Sequence, residues 1–381
     1  MRMKKLMILA VAAIALVACS RTFEHHAVEP TQIGFSTWAE HLTKGRAVTD
    51  AAFTTGDTFN AFGSKTVSST TSVVFNGDVV TYGNPYWTYS PARFWDPAAT
   101  SYTFFAISPS GLLPAGMTDA QKTTAATTGE FSTTEITFDG TVANDVMIAN
   151  KKPVAQATYT GDNPTYVVPL VFNHVAALLD VKVKKSYSLR ESTVKVTAIS
   201  LENIVYKGTF SVSTYDDSGQ NPTYKPTVAI SNWAAAQSSS TTTFTGTVAD
   251  GGTPLTEYGY ESVTGEALSG TANYFWQNFV VMPQTLSTQQ IKISYKIVDT
   301  ATNEETVFSN KTVAFTAFDL VDNKTNNTAA PDAGDGAVAS GWNPNTHYIY
   351  TLTLDANKID FTATITGWDS TTVNGYYNLI N

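Results

Sequence analysis

Residues 348–365, YIYTLTLDANKIDFTATI, decide the fold class. Tyr348, Tyr350, Leu352 and Leu354 alternate with Thr351 and Thr353. After Asp355 to Lys358 the alternation resumes with Ile359, Phe361, Ala363 and Ile365. Successive side chains of a strand point to opposite faces, so the stretch reads as a β-hairpin with one buried face. The same period recurs upstream. Ala177, Leu179, Val181 and Val183 alternate with Asp180, Lys182 and Lys184, and Ile291, Ile293, Tyr295 and Ile297 alternate with Lys292, Ser294 and Lys296.

Clusters of Gly, Asn, Asp and Pro break these runs at Asn76–Asp78, Gly83–Pro85, Gly161–Pro164, Gly251–Gly252 and Asp322–Asp335. Thr, Ser, Val and Tyr are abundant, and runs of helix formers are rare. This pattern predicts an all-β protein built of β-sandwiches rather than α/β units. A short helical piece is expected around Pro114 to Lys122, and loops over Ala234 to Thr243 and Asp322 to Asp335. A chain of 381 residues with 43% apolar content is long enough for two or three cores. The turn-rich stretch Gly161–Pro164, followed by the apolar run from Tyr166 to Val183, is the expected boundary between two domains, residues 47–163 and 164–381. The net charge of −9 supplies no basic stripe for phosphates, which argues against nucleic acid as a partner.

The N-terminus has a different character. Arg2, Lys4 and Lys5 precede a 12-residue apolar run, Leu6 to Val17. A membrane-spanning helix needs about 20 residues, so the run reads as an export signal over residues 1–18. It ends Leu16-Val17-Ala18-Cys19, which resembles a bacterial lipobox with Cys19 as the acylated first residue. The bland alternative is an ordinary signal peptide followed by a chance cysteine. Cys19 is the sole cysteine, so intrachain disulfides are excluded. Residues 19–46 form a leader. Within it Thr31–Trp38, TQIGFSTW, places Ile33 and Phe35 on one face of a short strand, with Trp38 as a third anchor. Burial of three such side chains would hold a groove by roughly 5–9 kcal/mol before ordering costs. The leader closes on a basic patch, Lys44-Gly45-Arg46. Taken alone, Arg46 is an ordinary residue of a polar linker that any trypsin-like protease would cut.

Catalytic patterns are scarce. Of five histidines, His25, His26 and His41 lie in the leader; His174 and His347 sit in strand-like segments and read as structural. No H-E-x-x-H, G-x-S-x-G or metal-spaced Cys/His set occurs. Asp332–Gly336 lacks the alternating oxygen ligands and terminal Glu of an EF-hand loop. Neither metal nor cofactor is expected, and the chain reads as a non-enzyme. The aromatic cluster around Trp87 and Trp95 has two readings, a platform for stacking sugars or rings that fill a sandwich core with Tyr102, Phe104 and Phe105. The core reading is favoured.

Four stretches in this order resemble the fimbrillin family, subunits of Bacteroides-type (type V) pili: Cys19 through Arg46-Ala47; WTYSPARFWDPAATSYTFFAISP; NDVMIA followed by PLVFNHVAALLDVKV; and GWNPNTHYIYTLTL with the closing ITGWD. The resemblance implies two transthyretin-like β-sandwiches in tandem and export as an outer-membrane lipoprotein. It further implies cleavage after Arg46 by an Arg-specific surface protease, with Ala47 as the new N-terminus. Loss of the leader strand would then let a segment of another fimbrial subunit fill the groove by donor-strand exchange, in a fibre that serves adhesion. A candidate donor is the tail 371–381, with Val373, Tyr377, Leu379 and Ile380 as anchors. The competing expectation is a permanently anchored surface lipoprotein that binds glycans through the Trp87/Trp95 region.

Overall fold

The computed structural model describes residues 32–37, 53, 55–83, 86–132, 136–138, 140, 145–154, 167–170, 172–212, 230–235, 241–256, 273–317, 319–322, 341–344, 346–357 and 359–367. The expected domain break at Gly161–Pro164 and the Asp332–Gly336 stretch lie outside these residues.

The first half contributes β1 (Gly34–Thr37), β2 (Thr58–Val67), β3 (Thr70–Tyr82), β4 (Trp87–Thr88), β5 (Ser101–Ser108), helix α1 (Asp119–Thr128), β6 (Phe131–Ser132), β7 (Ile136–Thr137), β8 (Met147–Val154), β9 (Val167–Leu170) and β10 (Asn173–His174). Its main sheet has the order β10-β8-β5-β2-β3-β4. The centre of this sheet, at β2 and β5, is buried on both faces. On one face Tyr102, Phe104 and Ala106 of β5 join a core with Phe59, Phe75, Trp87 and Trp95. On the other, Phe105 and Ile107 pack with Ala125 and Ala126 of α1 and with Phe131. Double burial explains why TFFAI reads as a continuous apolar run without alternation.

Helix α1 runs further than its expected end near Lys122. Thr118 caps it, accepting from the Gln121 amide while the Gln121 side chain accepts from the Thr118 amide. Gly129 closes it with φ +71°, a left-handed conformation that costs glycine little. Thr123, Thr124 and Thr127 send their hydroxyls back to the carbonyls of Asp119, Ala120 and Thr123. Threonines therefore occupy a helix that carries no clear apolar period.

The second half contributes β11 (Ala177–Lys185), β12 (Thr193–Val205), β13 (Lys207–Val212), β14 (Ile230–Ala235), β15 (Thr241–Thr245), β16 (Thr253–Pro254), β17 (Asn273–Val281), β18 (Gln284–Thr285), β19 (Gln290–Val298), β20 (Glu305–Ala314), β21 (Asp319–Asp322), β22 (Gly341–Trp342), β23 (Thr346–Leu354) and β24 (Ile359–Gly367). Two sheets, β17-β11-β23-β24-β21 and β15-β12-β19-β20, form a second sandwich. The expected C-terminal hairpin is present: β23 and β24 pair antiparallel from Thr346↔Gly367 to Leu354↔Ile359. β11 pairs parallel to β23, which sets it inside its sheet. That position buries the Asp180 and Lys184 side chains of its polar positions as well as its apolar ones. The loop expected over Ala234–Thr243 is shorter than its composition indicated, because β14 takes Ala234 and Ala235 and β15 takes Thr241–Thr243. Among the described residues no helix is long and apolar enough to cross a membrane.

The halves interlock. β6 and β7 pair with β13 across the sequence, and the Phe138 amide donates to the Tyr206 carbonyl. Phe138 is buried with Ala176, Leu178, Val280 and Met282. The chain passes between sandwiches at residues 172–177, where Phe172, Val175, Ala176 and Ala177 enter four separate apolar clusters. Beside this passage His174 Nδ1 lies 2.8 Å from Asp145 Oδ1, both side chains buried.

Candidate functional site

The site is the groove of the first sandwich that holds β1. The alternation of Ile33 and Phe35 sends both side chains into the core, where they are 0% and 5% exposed. β1 is not a free edge. On one side it pairs parallel to β9, with Gly34 opposite Val167 and Thr37 opposite Leu170. On the other, the Ile33 amide donates to the Arg93 carbonyl at 2.9 Å, and Gln32 bridges Phe94 antiparallel. The Tyr89 hydroxyl donates to the Ile33 carbonyl at 2.5 Å. Burial pushes the Tyr89 phenol up, which keeps the donor proton in place at ordinary pH.

Phe35 sits in a box of four rings. Its centroid lies 5.5 Å from Phe59, 5.4 Å from Phe75, 5.9 Å from Tyr89 and 6.1 Å from Phe104, all edge-on. Such edge-to-face packing contributes about 0.5–1.5 kcal/mol per pair beyond area burial. Val168 and Leu170 of β9 complete the apolar wall. The polar wall is pinned from behind. Arg93 Nε donates to the Val74 carbonyl at 2.9 Å and its Nη2 reaches Asp78 Oδ1 at 3.2 Å. Lys65 Nζ bonds Asp96 Oδ2 at 2.6 Å, and the Asp96 amide donates to the Tyr102 hydroxyl.

Of the residues singled out in the sequence, Ile33 and Phe35 are brought together here. Cys19, Trp38, Arg46, Ala47, Val373, Tyr377, Leu379 and Ile380 lie outside the described residues. Tyr89 and Arg93 carried no signal in their spacing, since one acts through a hydroxyl and the other through its carbonyl and a long polar arm. The rings around Trp87 and Trp95 take the core reading that the sequence favoured. Trp87 is 8% and Trp95 4% exposed. Trp87 packs on Phe53 and Phe59, and Trp95 on Tyr102, so neither indole offers a face for stacking. His174 and His347 each face a carboxylate, Asp145 and Asp180 respectively, on strands that carry the core. Among the described residues no group of His, Cys, Asp and Glu has the geometry to hold a metal ion.

A family described as Fimbrillin-like matches residues 45–368, and the chain belongs to that family. The membership supports the role of a fimbrial subunit. Several solved structures are similar. A fimbrial protein from Bacteroides vulgatus is 17% identical, with 88% of this chain and 99% of that one covered and a TM-score of 0.49. A cell adhesion protein from Bacteroides uniformis, described as putative, is 11% identical over 89% and 97%, TM-score 0.44. The tip fimbrial protein Mfa3 from Porphyromonas gingivalis is 12% identical over 82% and 95%, TM-score 0.37. No curated protein sequence matches the chain.

Proposed function

We propose that this fimbrial subunit reaches the outer membrane as a lipoprotein anchored at Cys19, is cut after Arg46 by an Arg-specific surface protease, and then joins other fimbrial subunits by donor-strand exchange to build an adhesive fibre. The observation that carries the reading is the position of β1. A short strand from ahead of Arg46 fills the middle of a groove in a sandwich formed entirely by later residues.

The proposed bond falls between two aromatic plugs of one core. Phe35 precedes it. Phe53 follows it and packs on Trp87 at 4.8 Å and Phe172 at 5.7 Å. Cleavage leaves Phe53 to hold the new terminus and turns the contacts of Phe35 from intramolecular to dissociable. An extended segment that enters the vacant groove regains main-chain hydrogen bonds on both sides. The tail 371–381, with Val373, Tyr377, Leu379 and Ile380, remains the proposed donor, offered to the groove of a neighbouring subunit of another kind.

The test is Arg46→Ala. The variant is expected to stay full-length and acylated and to form no filaments, whereas wild-type protein from the cell surface begins at Ala47. Filaments from the variant in wild-type amount sink the reading.

A further inference from the structure

We propose that the vacated groove selects its occupant by sequence. It takes an extended segment of a second subunit that carries a branched aliphatic side chain and, two residues later, an aromatic one, parallel to β9 and registered by the Tyr89 hydroxyl. This rests on the reading that β1 is releasable, and it names what replaces it.

The pocket of Phe35 is shaped by parts that do not leave. Phe59 stands on β2, Phe75 on β3 and Phe104 on β5, three neighbouring strands of the main sheet. Phe75 also packs on Tyr89 at 5.2 Å and on Phe104 at 6.3 Å, so the box is braced without its guest. Four ring edges and faces around one slot match a planar ring, and an aliphatic side chain fills the volume without those pair contacts. The order matters as well. In the direction of β1 the smaller Ile33 comes first, beside Arg93, and the ring follows opposite Val168.

The polar wall reads backbone. At the position of Ile33 the guest must offer an amide to the Arg93 carbonyl and a carbonyl to the Tyr89 hydroxyl. Proline lacks that amide and is excluded there. Arg93 keeps this wall standing in the empty groove, because its guanidinium is tied to Val74 and Asp78 of β3 rather than to β1. A wall held in place before the guest arrives lowers the ordering cost of binding, which sharpens discrimination among guests.

The test uses full-length protein nicked after Arg46, with the cut verified by mass, and a fluorescent peptide of residues 31–38, TQIGFSTW. Anisotropy reads uptake of the peptide as the resident leader leaves. The parent peptide is expected to exchange in. A Phe35→Ala peptide should bind at least about a hundredfold more weakly, in line with the loss of a packed ring. An Ile33→Pro peptide should not bind. Tyr89→Phe in the protein should weaken every peptide about fivefold, the worth of one hydrogen bond, with their ranking unchanged. The peptide variants keep the test independent of how any protein variant folds. If the Phe35→Ala peptide or the reversed sequence binds as well as the parent, selection by sequence is overturned while strand exchange stands. If the leader stays bound under a large excess of parent peptide, release itself fails, and this inference fails with it.

Discussion

The two sandwiches differ in what fills them and in what closes them. The first core is built of rings: Phe35, Phe53, Phe59, Phe75, Trp87, Trp95, Tyr102, Phe104 and Phe172. The second is mostly aliphatic, with Leu179, Val181, Val183, Val194, Val196, Ile291, Ile293 and Leu352. The first is closed by four residues of β1, taken from a segment ahead of the proposed cleavage bond. The second includes the nine-residue strands β23 and β24, joined by a tight turn and paired along their whole length. A ring core concentrates its packing in a few large plugs, so the loss of one leaves a shaped vacancy. An aliphatic core spreads the same burial over many small contacts and has no single plug. The sandwich suited to exchanging a strand is therefore the first, and the second is suited to persisting.

The strongest test of this contrast is Phe35→Ala in the uncut protein. Truncating a buried Phe costs about 3–5 kcal/mol. Urea unfolding should show a lower midpoint of that size, and the difference should vanish once the leader is removed from both proteins. A loss of less than about 1 kcal/mol in uncut protein would mean that the ring box does not hold β1.

The interlock between the halves is probed next. His174→Ala removes the partner of buried Asp145 beside the crossing at residues 172–177. Leaving a buried carboxyl without its hydrogen-bond partner costs up to about 3 kcal/mol. Because that crossing feeds four apolar clusters, both sandwiches should weaken together, monitored by hydrogen exchange in β5 and β23. Protection lost in β5 alone would show that the second sandwich stands independently of this pair. Gly140 gives a smaller probe of the same junction. It holds φ +81°, and a Cβ there would meet the Phe279 ring at 1.9 Å. Gly140→Ala is expected to lower stability by about 1–3 kcal/mol through that clash, read in the same unfolding measurement.

These contacts also show what the sequence displays and what it hides. The 348–365 hairpin was legible because a strand with alternating side chains leaves a period-two trace. Ile33 and Phe35 were legible for the same reason. The run Thr103–Ile107 gave a strand but no inward face, since both faces are covered. Residues 172–177 read as one apolar segment, yet adjacent positions serve different cores, and no periodicity encodes that. Tyr89 and Arg93 were hidden because they bond main-chain carbonyls and, for Arg93, also Asp78 on another strand, which leaves no mark in local side-chain pattern.

The smallest effect tests the closure of the second sandwich. Asp355 opens the turn between β23 and β24, and its Oδ2 accepts from the Ser186 hydroxyl at 2.5 Å and the Ser188 hydroxyl at 2.7 Å. These bonds, the Ser186 one foremost, hold its carboxyl below the usual value of 3.8. A carboxylate with a depressed folded pKa adds stability that is present above its unfolded pKa and is lost as pH falls through the folded one. The group is only partly buried, so solvent screening trims the effect to on the order of 0.5 kcal/mol. Asp355→Asn should therefore flatten the acid limb of the stability profile below about pH 4 while leaving affinity for the leader peptide unchanged. A shift in peptide affinity would mean that the two sandwiches communicate through this turn, and the division of labour between an exchangeable core and a persistent one would have to be redrawn.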